Sequence, residues 1–403
     1  MTSKRNTQGD RLFEQSREIA EYYGFNSLSH TLSDLSLLKG KKRVDHLRAP
    51  KEGVPGEANR ISLMEAHFNH DFNSLPQPLF LYHSEPLWKQ MDRSLYGGEK
   101  AAQFSLEIIG TGKSIAEAIL FKTAFTILRE AGFPDISVIL NSLGDRESIA
   151  RFSREFNAYY RKRMNEVPSH CRDNIKKDVL KTLECAHDKC MLFKEEAPKP
   201  IASLSEESRR HFSEVLEYLE SMGVPYRINH CLVGGKDFYT KTIFEIRSES
   251  DVNEKFPKQT FSPVLAKGGR YDDLTKKMWG RKEVPAVGIS ISMGGLGLTL
   301  PSKNQKQKES QPAAYLIQLG FEARIKCLDA IEILRRANIP IFQSLSKDRF
   351  SAQLAMTENM NIPYTIIIGQ KEALEGTAIV RNMMTRCQET VPLLELPRRL
   401  KKI

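Results

Sequence analysis

Apolar residues recur at helical spacing near the start of the chain. Residues 11–24, RLFEQSREIAEYYG, carry Leu12, Phe13, Ile19 and Tyr23 near a 3.6-residue period, and Gly24 supplies a stop. The strongest pattern is residues 115–131, IAEAILFKTAFTILREA, where Ile119, Phe121, Ala124, Phe125 and Leu128 form a broad apolar stripe. Ser114 is the expected N-cap of this helix, Gly132 and Pro134 end it, and DISVILNS then reads as a buried strand. From 147 to 224 the texture turns amphipathic and charge-rich, which predicts a helical insertion. Strand-like segments return in PYRINHCLV, DFYTKTIFEI, SPVLAKGG and AVGISIS, and the alternation from Tyr239 to Glu245 suits an antiparallel strand with one covered face.

PSKNQKQKESQP, residues 301–312, predicts a linker, and strands alternating with helices from 313 to 403 predict a small α/β domain. The expected organisation is therefore a core domain over 1–146 and 225–300, an insertion at 147–224, a linker at 301–312 and an α/β domain at 313–403. The fold class is α+β.

Composition narrows this picture without changing it. At 403 residues, 40% hydrophobic and 27% charged, the chain suits a soluble protein of two or three domains. No apolar run nears the roughly 18 residues of a membrane span, and the polar N-terminus has no signal core, so cytoplasmic residence without a membrane partner is expected. A net charge of +10 favours a polyanion such as RNA, although lysine-rich surface also serves solubility.

Six cysteines are too few for a disulfide scaffold. Cys185, His187 and Cys190 in CAHDKC, with His170 and Cys171 upstream, are metal-ligating types. The four residues between Cys185 and Cys190 are looser than the usual C-x₂-C pair, so no metal is expected. GTGKS at 110–114 lacks the spacing of a phosphate-binding P-loop.

Several segments, in order, resemble class II histidyl-tRNA synthetases. YYGF at 22–25 is similar to the family's first motif, which builds its dimer interface. LPQPLFLYHSEP at 75–86 and QFSLEIIG at 103–110 resemble the strands entering and leaving the second motif. LVGGKDFYTKTIFEI at 232–246 is similar to the histidine-binding signature, GGRYDDL at 268–274 follows, and PAVGISISMGGL at 285–296 lies over the third motif. IIIGQKEALEGTAIVRNM with QETVP resembles the anticodon-binding domain. The resemblance implies an antiparallel class II sheet of six strands flanked by helices, a helical insertion and a C-terminal anticodon-binding-like domain.

It also implies a histidine pocket of Gln103, Glu107, Tyr239 and Tyr271, with Gly268 and Gly269 as a glycine-rich wall. Gln103, Ser105 and Glu107 share one face of a strand, as such a pocket needs. Carry-over fails where the family places arginines against the charge that develops during adenylation. His83, Gly234 and Gly295 stand at those positions, with His83 and Lys236 as candidate substitutes. The loop that grips the α-amino group is blurred in LRAPKEGVPGEAN, where Arg48, Glu52 and Glu57 have no assigned role. The loop at 88–102 keeps Lys89, Arg93 and Lys100 without the family's arginine pattern.

Two readings stay open. One is a catalytically degenerate pseudoenzyme that binds histidine or tRNA, or regulates a partner enzyme, and needs no cofactor. Regulatory subunits of histidine biosynthesis set that precedent, although they commonly lack the C-terminal domain. The other is a divergent but active histidine–tRNA ligase, for which ATP and magnesium would be required. A homodimer is the family expectation.

Overall fold

The computed structural model describes residues 7–32, 57–69, 72–86, 102–185, 187–234, 238–249, 264–292, 312–344 and 349–402. Its first domain is built on a mixed sheet: β1 (Asn26–Ser27), β2 (Leu79–Pro86), β3 (Ala102–Ile109), β4 (Ile136–Gly144), β5 (Tyr226–Ile228), β6 (Thr240–Ser248), β7 (Val264–Arg270) and β8 (Ala286–Ser292). Spatial order is β1-β2-β3-β8-β7-β6-β4-β5. The six inner strands are antiparallel throughout, and short β1 and β5 extend the two edges in parallel. The expected antiparallel core is present, with these two edge strands in addition.

Helices α1 (Thr7–Tyr22) and α2 (Glu57–Asn69) precede most of the sheet, and α3 (Ile115–Glu130) packs on its apolar face. That face presents Leu106, Ile289 and Phe244, and Phe121 of α3 meets Phe244 edge-on at 4.6 Å. Every residue from Ile115 to Leu128 except Lys122 is buried, which explains the breadth of the apolar stripe. Ser114 does precede α3, but it is not the cap expected of it. Its backbone is already helical and its hydroxyl instead donates to Glu214.

The charge-rich stretch forms α4 (Arg146–Lys162), α5 (Ser169–Lys177), α6 (Asp188–Glu196) and α7 (Glu206–Ser221). These helices serve two cores. Phe152, Phe156, Tyr160 and Cys190 form a cluster apart from the sheet, whereas Phe212, Val215, Tyr218 and Leu219 of α7 join the main core.

A buried ion pair ties α7, α3 and the sheet together. Arg270 and Glu117 are both fully buried, with Nε–Oε1 at 2.8 Å and Nη2–Oε2 at 2.5 Å. His211 Nε2 lies 2.8 Å from Glu117 Oε1, and Thr242 donates to the same oxygen at 2.7 Å. Burial works against the Glu117 charge, yet Arg270 and His211 hold its carboxyl well below the usual range.

The second domain pairs β9 (Ala314–Gln318), β10 (Ile341–Gln343), β11 (Tyr364–Ile368), β12 (Thr377–Asn382) and β13 (Gln388–Pro392) in the order β10-β9-β11-β12-β13. Helix α8 (Leu274–Trp279) belongs to the first domain, and α9 (Phe321–Arg336) is the docking helix of the second. Tyr23 donates to Glu332 at 2.9 Å, Tyr22 donates to the Ile339 carbonyl at 2.7 Å, and Arg335 pairs with Glu130 at 2.7 Å. Tyr218 packs on Phe321 at 4.8 Å. The YYGF segment thus carries the docked C-terminal domain. No helix among the described residues is long and apolar enough to cross a membrane.

Removing one member of the buried pair strands the other. Arg270→Met should lower stability by about 3–5 kcal/mol, and Arg270→Met/Glu117→Leu should recover part of that loss. Urea denaturation decides this, and a double variant no better than the single would refute the account. Glu332 supplies a pH test. Burial raises its pKa, but Arg335, Arg336 and Tyr23 bring it down to about 2 from 4.5. Its contribution is therefore present above about pH 4.5 and lost as pH falls towards 2. The stability gap between the parent chain and Glu332→Gln should be constant above that range and shrink through it.

Candidate functional site

Strand register assembles a polar face opposite the apolar one. Leu81, Glu107, Gly288, Gly269 and Ile243 line up across the sheet in one row. His83, Ser105, Ser290, Lys267 and Glu245 form the next row, with Gln103 and Ser292 one step further. Alternate residues of a strand point the same way, so these rows share a face. Gln103, Glu107, Tyr239, Tyr271 and His83 are all buried.

A side chain that the sequence reading left unnoticed occupies the centre. Arg60, on the first turn of α2, is 1% exposed, and its Nε donates to Glu107 Oε1 at 2.9 Å. Nη1 donates to the Tyr239 hydroxyl at 3.3 Å and Nη2 to Ser290 Oγ at 3.3 Å. Tyr271 donates to the other carboxylate oxygen of Glu107 at 2.7 Å, and the Arg60 guanidinium lies 5.7 Å from the Tyr271 ring centre. Ser105 and Ser290 hydroxyls meet at 2.9 Å and close the group.

Three of the four residues implied as a histidine pocket therefore converge on one arginine of the same chain. Gln103 shares their face without a hydrogen bond to Arg60. Burial opposes the Arg60 charge, but Glu107, Tyr239 and Tyr271 more than offset it and raise its pKa. Burial likewise raises the pKa of Tyr239 and Tyr271, keeping both hydroxyls neutral. Arg60 and Glu107 thus form a charge-balanced unit, and both oxygens of Glu107 have donors.

The glycines divide between faces. A Cβ on Gly269 would lie 2.6 Å from the Tyr239 ring, so Gly269 admits that ring as a pocket wall would. Gly268 is a correction to the expected wall. A Cβ there would meet the Phe244 ring at 2.6 Å, which puts Gly268 on the apolar face. Gly288 matters more: its Cβ would fall 1.6 Å from Glu107 Oε2, so only glycine leaves room for that carboxylate.

At the positions matched to lost arginines, His83 stands beside Ser105 in the register, on the site's own face. Gly234 has φ +66°, and a Cβ there would meet Ile243 at 2.6 Å and the Tyr239 ring at 2.7 Å. Its backbone is packed against the pocket tyrosine, leaving no room for a longer side chain. Lys236 and Gly295 lie outside the described residues, as do Arg48, Glu52, Lys89, Arg93 and Lys100. Glu57 opens α2. Arg60 was findable in principle: with Leu63, Met64 and His67 it follows the i, i+3, i+4, i+7 spacing of a buried helix face.

An antiparallel sheet with one covered and one ligand-type face, joined to a docked α/β domain, defines a class II synthetase-type protein. Residues 66–296 match the family described as Histidyl-tRNA synthetase, and residues 313–403 match Anticodon binding domain. The chain belongs to the histidyl-tRNA synthetase family. It is 28% identical over 343 residues to the histidine–tRNA ligase of Halothermothrix orenii, covering 85% of this chain and 80% of that one. It is 33% identical over 285 residues to the ligase of Fervidobacterium nodosum, covering 70% and 65%. Among solved structures it resembles apo Staphylococcus aureus histidyl-tRNA synthetase, with TM-score 0.52, 22% identity and coverage of 97% and 95%.

The contacts at Gly234 predict that restoring the family's arginine is disruptive. Gly234→Arg should cost at least about 1–2 kcal/mol from its left-handed backbone alone, seen as a lower thermal midpoint. An unchanged midpoint would show that this segment adapts freely.

Proposed function

We propose that this chain is a tRNA-binding member of the family whose amino-acid pocket is closed by its own Arg60, so that it does not adenylate histidine. The carrying observation is the Arg60–Glu107 pair. Histidine would need the carboxylate and tyrosine that Arg60 already engages, and a guanidinium–carboxylate bond within one chain is a strong competitor. The glycine at 234 supports the same reading, since charge developing on a phosphate calls for guanidinium groups. The C-terminal domain supports tRNA as the ligand, and the basic balance of the chain agrees. A homodimer, or a partner enzyme under its control, would fit this reading, with neither ATP nor magnesium required.

The second reading, an active histidine–tRNA ligase, is favoured by the activity for which the curated relatives are named. It needs Arg60 to leave Glu107, with Lys236 and His83 standing in for the arginines. Histidine-dependent pyrophosphate exchange separates the two. The proposal expects exchange at background, tRNA binding that weakens with salt, and calorimetric histidine binding that emerges only in Arg60→Ala. Exchange well above background in the unmodified chain would overturn it in favour of the ligase.

A further inference from the structure

Away from the sheet, the core of the insertion gathers three thiols. Cys171 lies on α5, Cys190 on α6, and Cys185 ends the short 3₁₀ turn Val179–Glu184 between them. The Cys171 sulfur is 3.4 Å from that of Cys185 and 3.3 Å from that of Cys190. All three sulfurs lie within 4.8 Å of one another, and Cys171 and Cys190 are each only 1% exposed. Two neighbouring cysteines could serve packing alone, but three sulfurs from three short elements converging on a point form a ligand set.

Tetrahedral zinc with Zn–S near 2.3 Å sets its sulfurs about 3.8 Å apart, so an outward movement of about half an ångström admits the ion. The surroundings suit a thiolate site. Lys194, only 7% exposed, donates from Nζ to the Leu183 carbonyl at 2.7 Å and the Cys185 carbonyl at 2.5 Å. Its charge acts on both Cys171 and Cys185, and the His187 backbone N–H donates to the Cys185 sulfur. Three thiolates on a divalent cation leave one net negative charge, which the buried ammonium balances. His187 is the cap of α6, its Nδ1 accepting from the Lys189 N–H at 3.2 Å.

We propose that Cys171, Cys185 and Cys190 bind one zinc ion, with the fourth position left to solvent, and that the ion fastens α5, α6 and the turn between them. The loose Cys185–Cys190 gap argues against a metal only for the pair taken alone; the fold sets Cys171 against both sulfurs.

The test uses the full chain, reduced and supplied with zinc or with cobalt(II) as a spectroscopic probe. One equivalent of zinc should survive gel filtration, and cobalt should produce thiolate charge-transfer and tetrahedral ligand-field bands. Cys171→Ser and Cys190→Ser should bring both signals to background, while Cys231→Ser and Cys327→Ser keep them. The unmodified chain decides the matter even if a variant fails to fold. No retained zinc and no cobalt bands would overturn the proposal. So would a disulfide between two of these three cysteines in the metal-free chain that persists when zinc is offered under reducing conditions.

Discussion

A carboxylate buried in the middle of a sheet face must be neutralised, and Glu107 sets that requirement for this site. Gly288 opposite it has no side chain because the carboxylate fills the space. Tyr271 donates to one oxygen and Arg60 to the other. Arg60 in turn places its remaining donors on Tyr239 and Ser290, which fixes that tyrosine against Gly234 and Gly269. Removing either charge would leave its partner buried and alone, which is far costlier than the pair itself. The polar side chains of this face thereby satisfy one another.

The second buried pair supports the first through adjacent residues. Arg270 ends β7 and Tyr271 follows it, and their side chains serve different elements. Arg270 is anchored to Glu117 of α3, while Tyr271 reaches Glu107 on β3. Arg270 also donates to the Thr111 carbonyl at 2.9 Å, next to the end of β3. The GGRYD segment therefore couples the helix-packed side of the domain to the site through a single peptide unit. Because α7 contributes His211 to the same carboxylate, the helix that packs on the C-terminal domain belongs to this frame as well.

Much of this was legible in the sequence because it rests on local period. The α3 stripe, the alternation in β6 and the βα rhythm after residue 313 each report a face that must be buried. Glu107, Tyr239 and Tyr271 could be placed together from strand alternation and family likeness. Local period marks Arg60 only as a position on a buried helix face, and says nothing of what its guanidinium pairs with. Its partner lies 47 residues away on another element. Gly268 and Gly269 show the same limit from the other side: adjacent glycines look equivalent in a motif, yet the pleat sends them to opposite faces. Ser114 does not cap its helix because its hydroxyl finds Glu214, a hundred residues on.

The Arg60–Glu107 pair also constrains what could displace it. A ligand that displaces Arg60 must itself satisfy Glu107, since an unpaired carboxylate at that depth would cost more than most small-molecule contacts return. The displacing group therefore needs a donor aimed at Oε1, and a positive charge serves better than a neutral one. Free histidine brings an imidazole N–H and an α-ammonium, whereas the guanidinium it must replace makes three contacts and is tethered to α2. The advantage of the tether is one of effective concentration: free histidine must outcompete a partner that never leaves. Tyr239 and Tyr271 cannot make up the difference, because each is neutral and already committed to the pair. In the proposed function, then, it is charge balance at Glu107 rather than pocket shape that opposes histidine.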